Sequence, residues 1–205
     1  DVAAGGAGLA YAFTTAADGS GAFVSVWEES GGDLGMARFD TTGSHLWTPS
    51  PFHACTESHT QSTPALAFSG GDLYVAWSDN RPPASNRDLY MQKIDPVSGA
   101  LLWATDGVLV VHTNSYIPTA RIVPAIDGAI GIMDFGGTEK YCAMRINSDG
   151  TPAWAVPTSF ATANLPFYDE RVEMADGSGG VVSFWQTQNG DLYGARIQAN
   201  GELGD

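Results

Sequence analysis

The chain has 205 residues, 43% of them hydrophobic and only 16% charged, which suits one sizeable folded domain and argues against an extended disordered segment. Nine Lys plus Arg against twenty-three Asp plus Glu give a formal net charge of -14, a field that repels nucleic acid and anionic lipid surfaces. No run approaches eighteen apolar residues, so no helix is expected to cross a membrane.

In chain order, the predicted elements are short strands separated by turns. The first unit, residues 7–60, opens on the turn signal Asp18-Gly19. It continues through GAFVSVWEES with Trp27, then DLGMARFDTTG, which ends at Gly43 and is followed by Trp47. Asp or Ser beside Gly marks a turn because the short side chain bonds to the backbone and Gly accepts positive φ. The second unit, 61–117, predicts strands over 63–68, 73–77, 89–94 and 107–111, with Ser69-Gly70-Gly71 as its turn. The third, 118–166, has Asp127-Gly128, then GAIGIMDFGG with Phe135, then KYCAMRINSDG and Trp154. The fourth, 167–205, has Asp176-Gly177, GVVSFWQTQNG with Trp185, and DLYGARIQANG, and stops where a further Trp would stand. No helical period persists for ten residues.

The landmarks repeat. Gly43, Gly99, Gly150 and Gly201 are separated by 56, 51 and 51 residues, and Trp47, Trp103 and Trp154 each stand four residues past the first three of them. Trp27, Trp77, Phe135 and Trp185 recur at intervals of 50, 58 and 50. A short meander cannot bury both faces alone, so successive units must pack on one another, and radial stacking of four-stranded sheets meets that need. The expected fold is therefore all-β: a β-propeller of four blades, each with four antiparallel strands, whose recurrent aromatics fill the spaces between blades. The alternative is a fragment of a larger propeller or repeat array. Residues 1–6, DVAAGG, are expected to supply the outer strand that the last unit lacks. The start at Asp1, with neither Met nor a leader-like segment, reads as a processed or excised piece and leaves the compartment open.

Cys55 and Cys142 are the only cysteines and fall in non-adjacent units, which reads as two buried thiols, with a single bridge as the alternative. No zinc-type spacing of Cys and His occurs.

The units resemble those of large secreted bacterial repeat proteins that read DGxGGxxxxW-x-D-x-R, then D-hydrophobic-Y-x-Q-R-hydrophobic-D, then G-x-x-x-W. WSDNR at Trp77 to Arg81, DLYMQKID at Asp88 to Asp95 and LLWATDGVLV at Leu101 to Val110 carry the resemblance most clearly. The third unit departs from it, with MDFGG in place of the Trp-x-Asp-x-Arg motif. The resemblance implies a propeller-like repeat protein of the secretome or cell surface and brings no catalytic residues with it.

One cation repeats in all four units, Arg38, Lys93, Arg145 and Arg196, and is expected to pair with a carboxylate while its stem covers apolar surface. Function is sought in what the repeat does not require. The loop NRPPASNR at 80–87, the connections 56–62 and 114–119, and Phe167 to Glu170, where aromatics adjoin carboxylates, are such features. Arg121 and Arg171 read as occupying similar places before Asp127 and Asp176. The candidate ligand-binding residues are Arg81, Arg87, His112, Tyr116, Arg121, Tyr168, Asp169 and Arg171. No G-x-S-x-G elbow, P-loop or dinucleotide fingerprint is present, and no catalytic residue is nominated. No cofactor is expected; Ca²⁺ is the one metal the acidic composition favours, although no D-x-[DN]-x-[DN]-G loop occurs.

The leading expectation is a non-catalytic extracellular binding or structural module, secreted or at the cell surface. It would recognise a protein or glycan through propeller loops, with self-association or neighbours in a parent chain as further partners. The alternative is a carbohydrate-active enzyme with an acidic cleft.

Overall fold

The computed structural model describes residues 12–82, 87–112, 119–134, 141–160, 171–186 and 189–204. These residues form four antiparallel meanders laid out in chain order. Sheet 1 comprises β1 (Phe13–Ala17), β2 (Phe23–Glu28), β3 (Leu34–Phe39) and β4 (Phe52–His53). Sheet 2 comprises β5 (Gln61–Ser69), β6 (Asp72–Asp79), β7 (Asp88–Ile94) and β8 (Val108–Val111). Sheet 3 comprises β9 (Arg121–Pro124), β10 (Ala129–Asp134), β11 (Tyr141–Ile146) and β12 (Thr158–Phe160). Sheet 4 has three strands among the described residues, β13 (Arg171–Ala175), β14 (Val181–Gln186) and β15 (Leu192–Ile197). The first strand of each sheet lines one shared cavity, so the sheets stand radially about it. The fold is all-β, as expected.

The turns form for the reason the sequence suggests. Asp18 accepts the N–H groups of Ser20 at 2.8 Å and Ala22 at 3.2 Å, and Asp176 accepts those of Ser178 at 2.8 Å and Gly180 at 2.9 Å. Each of these side chains satisfies two main-chain donors of the hairpin that follows it, and Gly19 and Gly177 supply the positive φ.

Strand alternation then sends alternate residues to opposite neighbours. Val24, Val26, Leu34 and Met36 leave one face of sheet 1 and join Leu73, Val75 and Trp77 of sheet 2 in one buried cluster. The other face of sheet 2 meets sheet 3. A Cβ placed on Gly131 would approach Leu89 and Met91, at 2.8 and 3.0 Å, so a glycine is what lets β10 come this close. Sheets 2, 3 and 4 share a second cluster that ends at Val181, Trp185 and Ile197.

The pairing register moves one landmark. Trp27, Trp77 and Trp185 each lie four residues past the strand residue paired with Phe39, Ile94 or Ile197, and the same offset from Ala129, which pairs with Ile146, lands on Met133. Met133, fully buried, therefore holds the aromatic position of sheet 3. Phe135, two residues later, lies outside the described residues.

The second aromatic series joins one sheet to the next. The indole N–H of Trp47 donates to the Pro96 carbonyl at 3.1 Å, that of Trp103 to Ser148 at 3.1 Å, and that of Trp154 to Ala199 at 2.9 Å. Those three acceptors occupy one repeat position, directly after Asp95, Asn147 and Gln198. Gly99, Gly150 and Gly201 close the same turns at positive φ, and each presents its bare Cα to the ring of the preceding Trp. A side chain there would face both backbone strain and the indole.

The repeated cations complete the junction. Arg38 pairs with Asp18 at 2.6 Å, Lys93 with Asp72 at 2.8 Å and Arg196 with Asp176 at 2.8 Å. Arg145 instead donates to main-chain carbonyls, those of Asp127 at 3.3 Å, Gly179 at 3.4 Å and Ala199 at 3.5 Å. Lys93 reaches the Ser148 carbonyl at 3.2 Å, so Trp and cation share one acceptor at two successive junctions.

Sheets 1 and 4 share no buried cluster among the described residues; the aromatics Phe23, Trp27 and Phe39 form a cluster of their own. The expected strand from residues 1–6 lies outside the described residues.

Trp154→Ala is expected to cost about 3–5 kcal/mol in urea unfolding, and Trp154→Phe, which loses the N–H but keeps a ring, about 1–2 kcal/mol. Acid titration tests the turns. Burial works to raise the Asp18 carboxyl, but bonds from Ser20 and Arg38 outweigh it and hold it at about 2, below the ordinary 3.8. A depressed folded value means its stabilisation is whole above about pH 4 and is lost as pH falls through that window. Asp18→Asn should therefore be less stable than wild type at pH 7 and lose less stability between pH 4 and pH 2.

Candidate functional site

The two ends of the four sheets differ in kind. One end carries the tight turns between first and second strands together with the Trp and cation junctions. At the other, the first strands begin and the longer, non-repeated connections run: 54–60, 80–87, 112–120 and 161–170. The candidates Arg81, Arg87, His112, Arg121 and Arg171 all lie at this second end or on the first residue of a strand that starts there. Tyr116, Tyr168 and Asp169 lie outside the described residues.

Arg81 is structural in its contacts. Its guanidinium donates to Asp79 at 2.5 Å, to the Asp106 carbonyl at 3.1 Å and to Cys55 Sγ at 3.1 Å, and lies 4.0 Å above the Tyr90 ring. Asp79, fully buried, also accepts the Trp77 indole N–H at 2.9 Å and the Arg81 amide at 2.9 Å. Burial alone would raise the Asp79 carboxyl, but the bonds from Arg81 and Trp77 prevail and hold it below its ordinary value. The Trp-x-Asp-x-Arg motif is thus a folded knot in which each residue satisfies the next. Cys55, beside it, is a buried thiol outside any disulfide, pushed up to about 11 by burial, and Cys142 is likewise buried and outside any disulfide. Two buried thiols, and no bridge between them, is what the structure shows.

Arg87 donates to the Ser62 hydroxyl. His112 Nδ1 lies 3.0 Å from Asp88 Oδ2; the ring is 62% exposed while the carboxylate is buried. That arrangement presents an imidazole to solvent with its orientation fixed from behind.

Arg121 and Arg171 meet, although not through equivalent positions. Pro124 pairs with Ala129 and Ala175 with Val181, so Arg171 matches Ala120 and Arg121 matches Val172. The one-residue offset puts them on opposite faces of their own sheets, and therefore on the two facing surfaces between sheets 3 and 4. There they flank Glu173, with Arg171 Nε 2.9 Å and Arg121 Nε 3.7 Å from its carboxylate. The Arg171 guanidinium, 1% exposed, also lies 3.8 Å above the Tyr141 ring. Glu173 was not singled out from sequence, yet it stands two residues after Arg171 on a strand, which places both on one face.

This cluster opens on a cavity of about 420 Å³, lined from all four first strands by Thr14, Pro64, Leu66, Arg121, Val172 and Glu173 among others. The size suits one or two sugar rings or a short peptide segment. Among the described residues, no group of three or more His, Cys, Asp or Glu side chains converges to hold a metal ion.

No protein-family model and no curated sequence matches this chain. Solved structures do. An endo-1,4-β-xylanase from Bacteroides thetaiotaomicron superposes on 97% of this chain with a TM-score of 0.53 at 9% identity, over 75% of its own length. The fucose-binding lectin of Aleuria aurantia, six-bladed, covers 94% with a TM-score of 0.53 at 11% identity. The Bacteroides ovatus protein GH43B of a xyloglucan PUL covers 96% with a TM-score of 0.54 at 15% identity. The fold is a β-propeller. The chain spans 62% of the lectin and 42% of GH43B, and at these identities the likeness concerns the fold and nothing beyond it.

Two of the candidates separate in a stability measurement. Arg81→Ala leaves Asp79 buried without its cation and is expected to cost about 3–5 kcal/mol in urea unfolding. His112→Ala, at an exposed ring, should stay within about 0.5 kcal/mol of wild type.

Proposed function

We propose that this chain is a non-catalytic binding module that holds a glycan with the loop end of the propeller, and that it works outside the cell or at its surface. The observation that carries this reading is the asymmetry of the propeller. Polar side chains that the repeat does not require, His112, Arg87, Arg121 and Glu173, gather at one end and at the cavity, while the other end is occupied by the repeated junctions. A cavity with a few fixed donors and acceptors is what recognition of sugar hydroxyls needs. The neighbours give the same direction as an analogy: one is a lectin that recognises fucose, another a xylanase. An acidic, lightly charged surface is in keeping with an extracellular protein.

The carboxylates argue for binding over hydrolysis. A glycosidase needs one acid held protonated opposite a second carboxylate. Among the described carboxylates at this end, Asp79 is held ionised inside its knot, Asp88 is paired with His112, Glu29 with His53, and Glu173 with two arginines.

A glycan array followed by calorimetry tests the proposal. The expected result is binding of at least one oligosaccharide class, weakened tenfold or more by Arg121→Ala and His112→Ala with folding intact. Absence of any glycan binding at millimolar ligand would overturn it. Release of new reducing ends from a bound polysaccharide would replace it with the carbohydrate-active enzyme.

A further inference from the structure

The junction between sheets 1 and 2 departs from the two that follow it. At the second junction Lys93 crosses to the Ser148 carbonyl at 3.2 Å, and Ser69 Oγ donates to the Ala125 carbonyl at 2.6 Å. At the third, Arg145 crosses to the carbonyls of Gly179 at 3.4 Å and Ala199 at 3.5 Å. Arg38 holds the same repeat position and does not cross. Its Nε and Nη2 both donate to Asp18, at 3.1 and 2.6 Å, and its Nη1 edge has no acceptor among the described residues. Across from it, the Pro96 carbonyl accepts the Trp47 indole, and Asp95 spends Oδ1 on the amides of Val97 and Ser98 at 2.8 and 2.9 Å.

The cause lies in the facing turn. In sheet 4, Ala175 pairs with Val181 across residues 176–180; in sheet 2, Phe68 pairs with Leu73 across 69–72, one residue fewer. Gly179 and Gly71 each stand two residues before the strand residue paired with Ile197 or Ile94. A Cβ on Gly179 would meet Arg145 at 3.1 Å, whereas one on Gly70 or Gly71 would meet nothing within 4 Å. The shorter turn, bare of side chains at its tip, leaves a cavity of about 330 Å³ beside Arg38. The turns that bound it, 18–22, 69–72 and 95–99, lie wholly within the described residues.

We propose that this cavity is a second binding site, for a neutral sugar unit, at the end of the propeller opposite the long connections. Arg38 and Asp18, 13% and 6% exposed, cancel each other's charge, so an anion would face Asp18 as much as Arg38. What the Nη1 edge lacks is what Lys93 and Arg145 take from the main chain, a neutral oxygen acceptor. Gly70 and Gly71, at φ of 61° and 91°, make a two-residue hairpin turn whose own N–H groups stand outside the ladder that resumes at Ser69 and Asp72. They are further donors. Ser20 gives its hydroxyl hydrogen to Asp18 and keeps lone pairs for an incoming O–H. Phe68, Pro96 and the 73% exposed Val97 supply an apolar wall. Donors and an acceptor beside an apolar wall match a ring with a hydroxyl edge and an apolar face, and the volume holds one such ring. A peptide strand would need an open sheet edge, and β2 and β6, which meet here, are paired along both edges.

Proton–nitrogen NMR with methyl glycosides of neutral hexoses, deoxyhexoses and N-acetylhexosamines at millimolar concentration tests this. At least one should shift the amides of Gly70, Gly71 and Val97. Arg38→Lys should weaken that response tenfold or more with an unchanged thermal melt, because Lys93 shows that a lysine at this repeat position keeps its carboxylate partner and crosses to the next turn's carbonyl. Val97→Trp, at an exposed side chain, should abolish the response by filling the cavity, again with the melt unchanged. Shifts confined to the surroundings of His112 and Arg121 would overturn this inference and leave the loop-end proposal standing; shifts confined to the turns would support it and count against that proposal. No response at the turns to any neutral glycoside, a response only to glucuronate or to an acetylated dipeptide amide, or one that survives both substitutions would overturn it.

Discussion

The architecture depends on one contact made three times. A tryptophan at the end of one sheet lays its ring against a glycine in a turn of the next, and donates its N–H to the carbonyl two or three residues earlier in that turn. Each half of the contact requires the other. The glycine is needed because its backbone is left-handed and because a Cβ there would press on the indole; the half-buried carbonyl in the same turn takes the indole N–H as its donor. Apolar burial between sheets supplies most of the attraction, about 25 cal/mol for each Å² removed from water, but it has no direction. The indole bond and the cation beside it fix the register and angle at which sheets meet.

Much of this was legible because repetition exposes geometry. Gly43, Gly99, Gly150 and Gly201, with a Trp after three of them, marked the junction before its partners were visible. The carbonyl acceptors were not legible, since any residue carries a carbonyl and only the fold selects which one lies beneath an indole. Phe135 drew attention from Met133 because sequence ranks an aromatic above a thioether, whereas the pleat counts only parity along the strand. The same parity separated Arg121 from Arg171 and brought them together between sheets. Arg81 looked like a ligand residue because its loop is irregular. It is instead consumed by Asp79, Cys55 and Tyr90, contacts that join residues far apart in sequence and leave no local pattern.

The two ends of the propeller divide labour. One is occupied by turns and junctions whose polar groups satisfy one another, so change there is paid in stability. The other carries described residues that the repeat does not require, such as Arg87, His112 and Glu173. His112 shows the division in one residue pair: Asp88 is buried in the sheet and holds the imidazole, and the imidazole faces solvent. A rigid body with one end that the repeat does not constrain suits the recognition proposed above. It also explains why the fold is shared so widely while the site must be read residue by residue.

The most direct test of the account is the solvent exchange of the six indole N–H groups, resolved by proton–nitrogen NMR. Protected signals are predicted for Trp47, Trp103 and Trp154, each with proton contacts to the turn holding Pro96, Ser148 or Ala199. Trp77 should be protected through Asp79 and without such contacts. Free exchange at Trp47, Trp103 and Trp154 in the folded protein would contradict the central claim, because the sheets would then be joined by apolar burial alone.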